Sequence, residues 1–88
     1  MKIRPLGNRL LVKPLKEGET TKSHYEVGEN DKPLFQGVVI SVGLGVSEEV
    51  KVGETVVYEQ FSGNEIGEYL LLAEHDLAGV IEKENEND

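Results

Sequence analysis

The chain has no cysteine, only two histidines and no long apolar run, and each shortage closes off a class of function. Without cysteine there are no disulfides, no thiolate metal ligands and no cysteine nucleophile, which fits a reducing compartment. His24 and His75 have no second histidine at metal-ligand spacing, so both read as ordinary surface residues. Cations are scarce too: nine Lys and Arg against seventeen Asp and Glu leave a formal charge of -8 at pH 7. A nucleic-acid partner needs a basic face that releases counterions from phosphates, so no nucleic-acid partner is expected, and the same charge disfavours an anionic membrane. Residues Met1 to Val12 alternate charged with apolar side chains and lack the continuous apolar core of a signal peptide. No apolar stretch is long enough to span a bilayer, and a soluble cytoplasmic protein is expected.

Signs of catalysis are equally thin. Ser23 beside His24 is not a nucleophile and base pair, because neighbours in a loop are not thereby held in reactive geometry. Gly43 and Gly45 form a lone G-x-G with Glu48 where a phosphate loop would need a third glycine, and the adjacent Glu48 and Glu49 read as solvated turn residues. No catalytic residue, metal or cofactor is assigned, and the protein is not expected to be an enzyme.

What is present is a series of short β-forming runs in a chain of 88 residues, enough for one domain with one small core. Leu10 to Val12 is bracketed by Pro5 and Pro14, which predicts a strand that lies at an edge or stops at each proline. Gly37 to Val42, GVVISV, has the composition of a buried strand, as does the core-forming run Leu70 to Leu72. Val46 to Glu49 makes a short connection to a strand over Val50 to Val52, and Gly53 with Glu54 turns the chain into another over Thr55 to Phe61. Tyr58 and Phe61 suit either core or a subunit interface. A second turn, Ser62 to Gly67, precedes Glu68 to Ala73. In the last segment, Asp76 to Glu82, the apolar residues Leu77, Val80 and Ile81 sit at helical spacing, while Gly79 argues against a helix by about 1 kcal/mol. Turns every eight to twelve residues point to an all-β small barrel, so the segment is read as a strand. Residues 1–82 form the single domain, and residues 83–88 an acidic tail that frays. In so small a sheet the first and last strands keep unpaired backbone groups, and joining them between copies is head-to-tail association, which closes into a ring if the rotation allows.

The stretch from Lys16 to Phe35, KEGETTKSHYEVGENDKPLF, has neither a helical nor a strand period. Connections of this length without structure of their own are uncommon in compact domains and serve as functional loops or stay disordered. It reads as a mobile loop held at both ends by strands. A tolerated surface insertion is the other reading, since doubling a loop adds only about 0.6 kcal/mol of closure entropy.

Four motifs in order resemble the GroES-type co-chaperonin family over nearly the whole chain: IRPLGNRLLVKP at Ile3 to Pro14, Lys32 and Pro33 with Gly37 leading into VVISVGLG, VKVGETVV at Val50 to Val57, and EYLLLAEHDLAGVIE at Glu68 to Glu82. The resemblance implies a small irregular β-barrel and a homo-oligomer, a heptameric dome in which the first strand of one subunit pairs with the last strand of its neighbour. Here that places Ile3, Arg4, Pro5, Leu6, Leu77, Val80 and Ile81 at the subunit interface. It also implies that the loop docks on a large GroEL-type chaperonin ring, which binds ATP, and caps its folding chamber. Two features depart from the family. The loop keeps Thr21, Lys22 and Ser23 but then reads HYEVGEN, without the glycine pair and aliphatic tripeptide that anchor related loops. Tyr25 and Val27, at alternate positions, can face one way on an extended segment and substitute, and Leu34 and Phe35 are a second candidate anchor. Between Gly45 and Val50 only four residues stand where many relatives insert a roof hairpin, so the dome is expected to be open or thinly covered at its apex, and Ser62 to Gly67 is shorter than the family's turn. A GroES-like oligomer that serves as a structural or adaptor protein, without chaperonin binding, is the alternative function.

Overall fold

The apolar runs of the sequence pair into one antiparallel sheet. The computed structural model describes residues 2–15, 34–59 and 62–82. Its strands are β1 (Arg9–Pro14), β2 (Leu34–Val42), β3 (Thr55–Glu59), β4 (Asn64–Ile66), β5 (Tyr69–Ala73) and β6 (Leu77–Ile81), with one turn of 3-10 helix, Glu74–Asp76, between β5 and β6. Their order across the sheet is β4-β5-β1-β2-β3-β6. A sheet with no second layer can bury a face only by curling around it. That is what the packing shows: Leu10 and Val12 of β1, Val39 of β2, Val56 and Tyr58 of β3 and Leu70 and Leu72 of β5 share one cluster, and Leu77 and Val80 of β6 pack against it.

Two bulges decide which side chains reach that cluster. Along β1 and β2 the pairing steps from Leu11↔Ser41 to Val12↔Val39, which leaves Ile40 as an extra residue. Val39 and Val42 are three apart and would face opposite ways in a regular strand; with Ile40 taken out of register and exposed, both turn inward. The same happens between β3 and β6, where Val57↔Gly79 is followed by Tyr58↔Leu77 and Ala78 is skipped. Leu77 and Val80 therefore share the inner face at a spacing that imitates a helix. The closing segment is a strand, as expected.

Four expectations are corrected. The first strand, β1, is not left unpaired at an edge: it pairs with β5 on one side and β2 on the other, and of the two readings of its prolines the stop holds at Pro14, where the strand ends. Val50 to Val52 is not a strand, because the backbone there is spent on consecutive turns, Val50 N–H to Ser47 carbonyl at 3.2 Å and Glu54 N–H to Lys51 carbonyl at 3.1 Å, with Gly53 at φ 95°. Within Ser62 to Gly67, expected as a turn, β4 pairs with β5 as a small hairpin between the positive-φ glycines Gly63 and Gly67. The loop expected to reach Phe35 gives way to strand at Leu34, because Leu34 and Phe35 pair with Glu59 and Tyr58. Gln60, Phe61 and the 83–88 tail lie outside the described residues.

Candidate functional site

β1 and β2 are antiparallel neighbours, and such strands can be joined by two to five residues. Here residues 16–33 join them. The chain leaves and returns at one clamped point: Pro14 lies opposite Gly37, and the Leu15 N–H donates to the Gln36 carbonyl at 2.9 Å. The Tyr58 hydroxyl donates to the same carbonyl at 3.3 Å, from a position where burial pushes its phenol pKa up. Gln36 is itself only 4 % exposed, so this root is polar yet buried. Gly37 belongs to it for steric reasons. A Cβ there would run into Val12 Cγ1 and come within 3.2 Å of the Tyr58 hydroxyl.

The two candidate anchors fall differently. Tyr25 and Val27 lie outside the described residues, with the rest of 16–33. Leu34 and Phe35 open β2 at the root. Phe35 is 43 % exposed and, with Pro14, Leu15, Tyr58 and Leu70, lines a cleft of about 660 Å³ beside the point where the connection leaves.

The residues expected at a subunit interface occupy two surfaces. Ile3, Arg4, Pro5 and Leu6 precede β1; Pro5 is buried, Ile3 half-buried, Arg4 exposed, and Leu6 71 % exposed. Leu77, Val80 and Ile81 lie on β6, which ends the sheet order and pairs with β3 alone among the described strands. The side chains of Leu77 and Val80 pack on the chain's own core, so what β6 offers outward is its backbone edge.

Sequence reasoning passed over three features here. Gly43 and Gly45 are a close-approach device: the Gly43 N–H donates to the Arg9 carbonyl and the Gly45 N–H to the Gly7 carbonyl, each at 2.8 Å, and a Cβ on Gly43 would collide with the Gly7 carbonyl. Leu44, between them, is fully exposed beside Leu6–Asn8. Finally, the Glu74 carboxylate accepts from the Ser47 N–H at 3.1 Å and the Ser47 hydroxyl at 2.5 Å, which holds its pKa below the usual carboxylate value and ties the 43–50 connection to the 3-10 turn. The paired glycines were the one signal available; the Ser47–Glu74 contact joins residues too distant in sequence to announce itself.

Among the described residues no group of three or more His, Asp or Glu side chains is placed to hold a metal ion, and no helix is long and apolar enough to cross a membrane. What fold and root define together is a small all-β domain whose first two strands are joined by one long connection at a hydrogen-bonded base. The model of the chaperonin 10 kDa subunit family matches residues 2–81, and the chain belongs to that family. It is 39 % identical to the co-chaperonin GroES of Coprothermobacter proteolyticus, over 97 % of this chain and all of that protein. It is 40 % identical to the co-chaperonin GroES of Myxococcus xanthus over 94 % and 100 %, and 38 % identical to that of Staphylococcus carnosus over 91 % and 99 %. These alignments run to 98, 97 and 93 positions, more than the 88 residues of this chain, so the relatives carry segments that it lacks.

Proposed function

We propose that the protein is a co-chaperonin that caps a large, ATP-binding GroEL-type chaperonin in the cytoplasm and assists protein folding there. Copies of the chain assemble into a ring, a heptamer on the family pattern, with the 2–6 segment of one subunit against the β6 edge of the next. The protein contributes no chemistry; nucleotide turnover belongs to the partner. Membership of the chaperonin 10 kDa family and relatives that bear the co-chaperonin name support this reading. The observation that carries it is the 16–33 connection, far longer than β1 and β2 need, set out from a hydrogen-bonded root.

Tyr25 and Val27 are the anchors we assign within that connection, with Leu34 and Phe35 at its base. Burying a side chain of valine or tyrosine size contributes about 1.5 to 3 kcal/mol, from which the ordering of the connection, roughly 1 to 2 kcal/mol per fixed residue, must be subtracted. One subunit thus binds weakly, and several together bind through effective concentration. The test is to mix the protein with the chaperonin of its own host and nucleotide, and to follow co-migration and ATPase rate. Tyr25→Ser with Val27→Asp should abolish the complex; undiminished binding would refute the anchor assignment, and no complex with the parent protein would leave a structural oligomer as the function.

A further inference from the structure

One side chain of β4 breaks the pattern of the sheet. Residues opposite one another on paired strands share a face, so Phe35 with Tyr58 and Glu65 with Leu70 lie on the face that carries the core cluster. Every other strand position on that face is apolar or glycine, and among the described strands Glu65 is the one acid or base there. It stands in the cleft of about 660 Å³ at the root of the connection, between the aromatic side chains of Phe35 and Tyr58, the aliphatic Leu15 and Leu70, and the polar Asn64. No Lys or Arg lines the cleft, and among the described residues none comes within ion-pair distance of Glu65.

Resting on the function proposed above, we infer that this cleft is a second contact with the chaperonin and takes the side chain of an arginine on the partner's docking surface. Its place favours that partner. The 16–33 connection leaves beside the cleft at Leu15 and returns beside it just before Phe35, so whatever the connection grips is drawn up to the cleft. Its chemistry selects the side chain. An anion would be repelled by Glu65, and a purely aliphatic group would dry the carboxylate and leave it unpaired, which is costly. Arginine suits both halves: its stem lies along apolar surface, while its planar head stacks on an aromatic face and forks to a carboxylate. A single contact of this kind, open to solvent, is weak, and it gains weight when repeated around a ring. An inward charge also blunts an edge strand, and β4 ends the sheet order, but lysine would serve that purpose as well as glutamate.

Two measurements on the full chain test the inference. In the first, Glu65→Gln, Glu65→Lys and Phe35→Leu are each compared with the parent for affinity to the chaperonin of the same host with nucleotide. Each should lower affinity at least tenfold, Glu65→Lys the most, with unfolding midpoint and assembled mass as in the parent. In the second, N-acetylarginine amide is titrated into the protein without chaperonin and followed by NMR. It should shift the signals of Phe35, Tyr58 and Leu70, whereas N-acetylleucine amide and N-acetylaspartate amide should not, and Glu65→Gln should remove the response. A parent that binds the chaperonin while Glu65→Lys binds equally well, or a cleft that does not prefer the arginine probe, overturns the inference and leaves the proposed function standing. A cleft that admits the probe only once Lys16, Lys22 and Lys32 are changed to Gln is filled by the chain's own connection, which overturns the assignment to the partner. A parent that binds no chaperonin overturns the proposed function and the inference together.

Discussion

Gly37 shows how one side chain, absent, sets up the root of the connection. Its Cβ position is taken by Val12 Cγ1, a branched group with little rotational freedom, and it has the Lys13 carbonyl 3.1 Å away on a backbone that cannot step aside. Gly37→Ala should therefore destabilise by about 1 to 3 kcal/mol, as overpacking does. For a domain of this size each 1 kcal/mol moves Tm by roughly 4 to 8 °C, and thermal unfolding at fixed protein concentration measures it. An alanine that leaves Tm unchanged would mean that β1 and β2 separate more easily than their pairing indicates. Glu74 makes a second prediction at this scale. Its folded pKa lies below the unfolded value because Ser47 donates two hydrogen bonds to the carboxylate. Between those two values the unfolded chain binds more protons, so the contribution is complete above the unfolded pKa and is lost as pH falls through the folded one. Ser47→Ala should move the Glu74 titration, followed by carboxyl carbon NMR, up toward an ordinary glutamate and flatten the acid limb of stability.

At the scale of elements, β1 and β2 are held by their own ladder and by flanking strands. Replacing residues 16–33 with a short glycine-rich turn should leave the unfolding midpoint nearly unchanged, since loop closure depends only weakly on length. Binding to the chaperonin should vanish. A large loss of stability would show instead that the segment packs as part of the domain. The elements also show where a sequence speaks plainly and where it does not. The strands at Arg9–Pro14, Thr55–Glu59 and Tyr69–Ala73 are legible because β-branched and leucine runs fall between turn residues. β6 is hard to read because the bulge at Ala78 brings Leu77 and Val80 to one face three residues apart. Val50 misleads in another way: it is buried in the core yet sits in a turn, so apolar composition alone counts it as strand. The prolines around β1 leave two readings open, an edge or a stop, because neither needs a ladder hydrogen bond from proline, and only the pairing on both sides decides for the stop, with Pro14 at the strand's end and Pro5 before its beginning. Of the site, the long connection and the glycines were visible from composition. The root was not, since Leu15, Gln36 and Tyr58 meet only once three strands have paired.

At the scale of the whole molecule, the proposed function depends on number. A connection whose candidate anchors are Tyr25 and Val27 has little binding energy left after it is ordered, so a subunit acting singly would hold a chaperonin poorly. Linked subunits turn each later contact into an intramolecular one, and the gain multiplies with every connection engaged. Removing connections one at a time from a ring should then reduce affinity geometrically. This can be measured by co-assembling the parent chain with the version in which 16–33 is replaced by a short turn, at stepwise ratios, and determining chaperonin affinity for each mixture. Affinity should fall much faster than the fraction of intact subunits, with binding largely gone while a good share of the connections remain. A fall in simple proportion would mean that each subunit docks independently, and that assembly serves some purpose other than grip.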